Sequence, residues 1–243
     1  GYDLSLEQLN WRRWTIENKC GGDVRLFHQE YPSNDTEAFI TTGRPVFDAE
    51  TCLKNYNAAS GPVERGDLVY EEGKKSVRFV QNSDGFISIF QKVKLVSGEK
   101  FRFAAGADVA EGLEQGDYND MPVLDRKTMR VCLSWHGHIH PDKFAEEQHK
   151  IHLFLGGDLY ICTERNNHGL TTIVEANHLN LNQYYEENFQ SGFLVATDKL
   201  GFRTTPASKP QLLNAFIPAV REGLFRDDEK EFWGEAQTFV RNA

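Results

Sequence analysis

The chain has 243 residues, 40% of them hydrophobic and 26% charged, which is enough apolar material for one substantial core in an ordinary globular protein. No apolar run approaches the roughly 18 residues that a membrane helix needs, and no signal peptide opens the chain, so a membrane or exported protein is not expected. The net charge of −9 argues against tight autonomous binding of nucleic acid through clustered Lys and Arg, but it is compatible with carboxylates that gather divalent metal.

In LSLEQLNWRRWTIENKC (4–20), Leu6, Leu9 and Ile16 recur at helical spacing, so a helix is expected there, carrying the basic-aromatic cluster Trp11, Arg12, Arg13 and Trp14. QEYPSNDTEAF (29–39) and TTGRPVFD (41–48) are punctuated by Pro and Gly and read as an extended connection. Residues 49–75 begin with a short helical segment and then turn polar, with loops at Gly61-Pro62 and Glu71-Glu72-Gly73. From about residue 76 the period changes. SVRFVQ, GFISIFQKVKL, KFRFAAGAD, MPVLDR and TMRVCLSWHG form a meander of roughly five short strands separated by turn residues. PDKFAEEQHKIHLFLGG is a helix ending at Gly156-Gly157, DLYICTE a buried strand, and NNHGLTTIVEANHLN begins with turn residues and becomes a helix. A hairpin-like region (188–205) precedes a helix over KPQLLNAFIPAVREG, kinked at Pro218, then the short extended LFRDD and a last helix, EKEFWGEAQTFVRN. A meander followed by alternating helix and strand specifies an α/β fold, a mixed sheet with helices packed on it.

The four cysteines, Cys20, Cys52, Cys132 and Cys162, contain no CxxC pair, which argues against a zinc site or disulfide framework and for a reducing compartment. The acids are more informative. Asp108 closes FRFAAGAD, Glu164 closes LYICTE, and Asp227-Asp228 follow LFR before the last helix. Strand ends on one edge of a sheet converge, and converging carboxylates repel unless a cation sits among them. Such hard oxygen ligands suit Mg²⁺ or Mn²⁺, and two ions together can promote phosphodiester cleavage. Read singly, each acid could equally be a cap or a solvated turn residue. No GxxxxGK[ST] is present, and Gly106, Gly112 and Gly116 do not fit GxGxxG, so a phosphate cradle and ATP binding are not expected. His136, His138 and His140 alternate in WHGHIHP as a histidine metal site would require, but Pro141 ends the strand there. His149, His152 and His178 fall in helical patterns as packing or partly exposed residues, whereas His168, just after Glu164, belongs near a site.

FHQEYPSNDTEAFITTGRPVFD, GADVAEGLEQGDY, VLDRKTMRVCLSWHGHIHPDKFA, ERNNHG and GFRTTPASKP follow one another in an order that resembles the large subunit of the tailed-phage terminase, the DNA-packaging motor. The first of these resembles the segment that joins the packaging ATPase to the C-terminal nuclease. The resemblance therefore implies a linker over 1–48 and a ribonuclease-H-like nuclease domain over 49–243, with the ATPase domain outside this chain. It implies a metal-dependent endonuclease that cuts concatemeric double-stranded DNA with two Mg²⁺ or Mn²⁺ ions. Asp108, Glu164 and Asp228 correspond to the family's catalytic ligands. Asp227 is the alternative to Asp228, which is favoured because it opens the last helix, and Asp117 of the GDY element is a further candidate ligand. Arg165, His168, Arg203 and Lys209 are candidate DNA contacts. Implied partners are duplex DNA, the ATPase domain of the same polypeptide, the terminase small subunit and the portal, in the cytoplasm of a bacterial host. A non-catalytic docking module and a junction resolvase on the same fold are the rival readings.

Overall fold

The computed structural model describes residues 5–31, 44–96, 100–190 and 193–241. The chain forms two compact units, residues 1–59 with 230–243, and residues 60–229.

In the first unit, α1 (Leu6–Asn18) starts from a capping box. The Gln8 N–H donates to Ser5 Oγ (3.3 Å), and the Ser5 N–H donates to Gln8 Oε1 (2.9 Å). A second helix that the sequence reading does not anticipate, α2 (Val24–Glu30), turns back so that Ile16, Cys20 and Phe27 share a small apolar cluster. Trp11 meets Tyr31 edge-on at 5.0 Å. β1 (Arg44–Pro45) pairs antiparallel with β12 (Val240–Arg241), and α3 (Ala49–Ala58), capped by the Asp48 carboxylate, packs against α7 (Lys230–Thr238). Most of the expected extended connection, residues 32–43, lies outside the described residues.

The second unit is built on a mixed sheet with the order β3-β2-β4-β7-β6-β5-β8-β9 among the described residues. Its strands are β2 (Glu64–Tyr70), β3 (Val77–Gln81), β4 (Ile87–Ile89), β5 (Phe103–Ala107), β6 (Asn119–Asp125), β7 (Arg130–Gly137), β8 (Leu159–Thr163) and β9 (Asn182–Gln183). Neighbours are antiparallel from β3 through to β5, while β5/β8 and β8/β9 are parallel. The parallel β5/β8 pair needs a crossover, and α4 (Pro141–Phe154), with proline in its first turn, lies on that path. α5 (Gly169–His178) follows β8. A separate hairpin, β10 (Tyr185–Gln190) and β11 (Phe193–Leu200), comes next, and then α6 (Ser208–Arg221), which contains Pro218. Two strand readings are corrected. ERGDLVY forms β2 although its Gly-Asp pair conceals the strand period, and only Ile87–Ile89 of GFISIFQKVKL is strand. No described helix is long and apolar enough to cross a membrane.

Strand alternation divides this sheet into two faces. Phe103, Ala105 and Ala107 of β5, Met121 and Val123 of β6, and Leu159 and Ile161 of β8 point to one side, where Phe144, Ala145, Ile151 and Leu155 of α4 and Ala176 of α5 cover them. The residues of opposite parity, including Gly106, Pro122 and Cys162, form the second face. Asp125 of β6 brings a charge to the packed side. Its carboxylate is fully buried and takes Arg102 Nε (3.0 Å), Arg102 Nη2 (2.7 Å) and the Lys127 N–H (3.0 Å). Burial pushes this carboxyl up, but the bonds from Arg102 and Lys127 outweigh burial and hold it below its ordinary value.

A buried carboxylate that loses its partner destabilises strongly, so Arg102→Met is expected to lower the unfolding free energy by about 3–5 kcal/mol at neutral pH, read from urea titrations. Because the folded-state pKa of Asp125 is depressed, its contribution is present above the ordinary carboxylate range and disappears as pH falls through the folded pKa. The gap between wild type and variant should therefore narrow in acid.

Candidate functional site

On the second face of the sheet, the register brings three carboxylates side by side. Asp108 continues β5, with the parity of Gly106, and pairs across to Asp120 of β6. The Asp108 N–H donates to the Asp120 carbonyl (2.9 Å), and the Asp120 N–H donates to the Asp108 carbonyl (3.1 Å). On the other side β5 runs parallel to β8, with Ala107 beside Thr163, and the Glu164 N–H donates to the Ala107 carbonyl (2.8 Å). Glu164 therefore follows Thr163 just as Asp108 follows Ala107. Directly opposed residues stand about 5 Å apart. The row Asp120, Asp108, Glu164 lines a cleft of about 630 Å³ whose floor holds Gly106, Pro122 and Cys162 and whose walls include Tyr184, Phe202, Thr204 and Leu212.

The supports of this row are local. Glu164 Oε1 accepts from Asn166 Nδ2 (2.8 Å), and the same amide donates to the Thr204 carbonyl (3.0 Å). Gly169 is required just beyond, because a Cβ there would lie 1.7 Å from the Glu164 carbonyl oxygen. On the other side the buried Asn119 accepts from the Ala110 N–H (2.9 Å) and donates to the Ile139 carbonyl (2.8 Å), clipping both ends of the 109–118 loop. Gly112, at φ +84°, approaches the Ile139 carbonyl so closely that a Cβ would sit 2.4 Å from its oxygen. Gly112 thus serves backbone packing.

The electrostatics are those of a site short of positive charge. Asp108 opens onto the cleft, but the protein packed around its carboxyl pushes it above its ordinary value, reinforced by the charge of Glu164, by a hydrogen bond shared with Glu164 and by the charge of Asp120. Asp227 is buried, and its carboxyl is pushed up to about 6, by burial first and then by Asp228 and Asp120, against the pull of the Glu229 N–H (2.9 Å). Arg130 binds Asp228 through both Nε (2.8 Å) and Nη2, and Arg165 binds Glu186 (3.1 Å). Among the described residues neither Asp108, Asp120 nor Glu164 forms a salt bridge with Lys or Arg. The donor set fits a hard divalent cation. Among the described residues no three His, Cys, Asp or Glu side chains already converge on one coordination point, so the donors stand in a row and binding has to draw them together.

Of the residues singled out by sequence, Asp108 and Glu164 are neighbours, and Asp227 is close enough to Asp120 to feel its charge. Asp228 faces Arg130, and Asp117 lies on the exposed loop outside the row. Arg165 braces the β10–β11 hairpin through Glu186 and the Leu200 carbonyl, whereas His168, Arg203 and Lys209 are exposed. His136, His138 and His140 go to separate partners, the Asp120 carboxylate, the Gly116 carbonyl and the Asp142 carboxylate. Asp120 escapes the sequence reading because it stands at the start of a strand. Its signal is parity: in NDMPVLD it alternates with the buried Asn119, Met121 and Val123.

The raised Asp227 carboxyl allows a test with a defined sign. Its folded-state pKa of about 6 exceeds the unfolded value, so the stability it contributes is full in acid and is lost as pH rises from about 4 through 6. Asp227→Asn is expected to raise stability at pH 7.5 by roughly 1–3 kcal/mol, an advantage that vanishes near pH 4 in paired urea titrations.

No protein-family model matches the chain, and no curated protein matches it by sequence. Solved structures do match. The large terminase nuclease of thermophilic phage G20c with bound magnesium superposes with a TM-score of 0.53 at 14% identity, over 84% of this chain and 85% of that one. The same nuclease with bound cobalt gives a TM-score of 0.52 at 14% identity over the same shares. The mixed sheet flanked by helices bears out the ribonuclease-H-like α/β expectation, and the chain has the fold of phage large terminase nucleases.

Proposed function

We propose that this chain carries a divalent-metal-dependent DNA endonuclease site of the large terminase type, cutting concatemeric duplex DNA with Mg²⁺ or Mn²⁺. The observation that carries this reading is the row Asp120, Asp108, Glu164 on an open sheet face, with no salt bridge to Lys or Arg among the described residues. Divalent ions, two in this reading, would supply positive charge at the scissile phosphate and help to ionise the attacking water.

The chain's own residues set the geometry. Asp108, held between two other acids, is the central ligand, with Glu164 and Asp120 at its sides and Asp227 as the further acid. Arg130 occupies Asp228, which supports Asp227 over Asp228 as the member of that pair that serves the site. Asn166 fixes the outer end of the row by holding Glu164 Oε1. Gly106 and Pro122 keep the cleft floor low, so that a phosphodiester can reach the acids. A neighbouring groove of about 960 Å³, lined by Lys199, Arg203, Asn167 and Thr205 among others, offers donors for backbone phosphates. Arg203 is a phosphate contact in this reading, with His168 following the groove-lining Asn167 and Lys209 a few residues beyond Arg203 as further candidates, and Arg165 shapes the groove wall. Duplex DNA is the substrate, and the ATPase domain of the same polypeptide, the small subunit and the portal are the partners of the assembly.

Cleavage of supercoiled plasmid in Mn²⁺ tests the assignment. Asp108→Ala and Glu164→Ala are each expected to slow cutting by about 100-fold or more, the scale of losing a group that stabilises the transition state. Asp117→Ala should cut at the wild-type rate. Survival of cleavage in both of the first two variants would mean that this face does no chemistry and that the chain is a docking module.

Gly106 provides a second check. A Cβ at this position meets no atom within 4 Å, so Gly106→Val should fold normally, as judged by its melting temperature. It should nevertheless cut poorly, because its side chain rises from the cleft floor beside Asp108. Undiminished cleavage by this variant would place the substrate elsewhere.

A further inference from the structure

Beside the carboxylate row lies a feature that the proposed chemistry leaves unused. β7 continues the row by one strand: His136 is the register partner of Asp120, and its Nδ1 lies 3.3 Å from Asp120 Oδ1. The His136 ring is itself confined. Tyr118 stacks on it with centroids 4.4 Å apart and planes 26° apart. Tyr118 also stacks on His138, two residues further along the chain, at 4.0 Å and 19°. His138 Nε2 in turn bonds the Gly116 carbonyl (3.0 Å), which holds the loop that presents Tyr118. These three rings are held at a partly exposed edge of the sheet, where a lone side chain would sample several rotamers.

We propose that His136 is a positioning residue that orients Asp120 toward Asp108 for cation binding, with Tyr118 and His138 fixing the imidazole. The proposal rests on the reading of the carboxylate row as a divalent-cation site. Asp120 needs such an orienting partner more than its neighbours do. Asp108 is flanked on both sides within the sheet, and Glu164 is held by Asn166, whereas the side-chain partner given to Asp120 by the fold is His136. An ionised carboxylate only accepts hydrogen bonds, so the hydrogen of this contact resides on Nδ1, in the neutral Nδ1–H tautomer as well as in the imidazolium. Orientation of a ligand by an outer hydrogen-bond partner commonly governs metal affinity by 10- to 100-fold. The arrangement also gives the 109–118 loop a role. Clipped by Asn119, Gly112 and His138, it carries Tyr118 to the position where it holds the imidazole.

Titration of the protein with Mn²⁺ by calorimetry, with a thermal melt of each variant to confirm folding, tests this directly. His136→Phe keeps a ring to stack on Tyr118 but removes the donor, and should weaken Mn²⁺ binding by about 10-fold. His136→Asn returns an amide N–H near the place of Nδ1 and should restore most of the lost affinity. Wild-type Mn²⁺ affinity in His136→Phe, or an equal loss in His136→Asn, overturns the proposal. Asp120→Asn separates this failure from that of the underlying reading. If Asp120→Asn loses affinity while His136→Phe does not, His136 has no positioning role and the carboxylate site stands. If Asp120→Asn binds Mn²⁺ as wild type does, Asp120 is no ligand, and the inference falls with that part of the reading.

Discussion

The antiparallel pairing of β5 with β6 and its parallel pairing with β8 force Asp108 to stand between Asp120 and Glu164. Backbone hydrogen bonds fix that spacing, and the acids can relieve their repulsion only by holding protons or by taking up a cation. The Asp108 carboxyl is pushed up first by the protein packed around it and then by the charges of Glu164 and Asp120. What keeps the strands in register is the opposite face. Phe103, Ala105 and Ala107 are buried against α4 and α5, and a slip of one residue would send them into the cleft and the acids into the core. One apolar core therefore holds the charged row in place, and the two faces of β5 are parts of a single device.

Around this row the fold commits its arginines elsewhere. Arg102 neutralises the buried Asp125, Arg130 holds Asp228, and Arg165 reaches Glu186 on the hairpin. Each of these pairs secures a loop or a strand end, and together they leave the cleft floor negative. With a chain charge of −9, long-range attraction of DNA phosphates by this polypeptide is weak. In the function proposed above, such a site would act on a substrate held by other parts of an assembly, with divalent cations bringing the local positive charge that the cleft itself lacks. Its supporting contacts are short-range and polar: Asn119 and Asn166 each tie a loop beside the site to a neighbouring segment through bonds of 2.8–3.0 Å.

Much of the second unit can be read from residues in order. Apart from GFISIFQKVKL, of which only Ile87–Ile89 is strand, the runs from SVRFVQ to TMRVCLSWHG, the helix closed by Gly156-Gly157 and the strand LYICT carry their period openly. β2 does not, because Gly66-Asp67 interrupts the apolar alternation and its strand identity comes from pairing with β3 and β4. The short α2 is similarly hidden, its apolar contacts being with α1 through Phe27, Ile16 and Cys20. Among the acids, Asp108 and Glu164 stand out because each ends an apolar run. Asp120 begins one, and its only signal, alternation with Met121 and Val123, is hidden because the first buried member of that alternation is the polar Asn119.

The sequence by itself therefore determined the α/β class, the strand that ends in Asp108, the strand that ends in Glu164, and the absence of a phosphate-cradling lysine motif. These follow from local period and residue chemistry, which act over a few neighbours along the chain. Only the tertiary structure decided which acids share a face, that Asp120 completes their row, and that Arg130 takes Asp228 and leaves Asp227 buried near Asp120. Those outcomes depend on strand register and on ion pairs between residues as many as 98 positions apart, and no local pattern encodes them. The stretch FAAGADVAEGLEQGD illustrates both: its carboxylate at Asp108 is evident from the chain, while the purpose of its glycine loop, to be clipped beside Ile139 and to carry Tyr118 to His136, exists only in the fold.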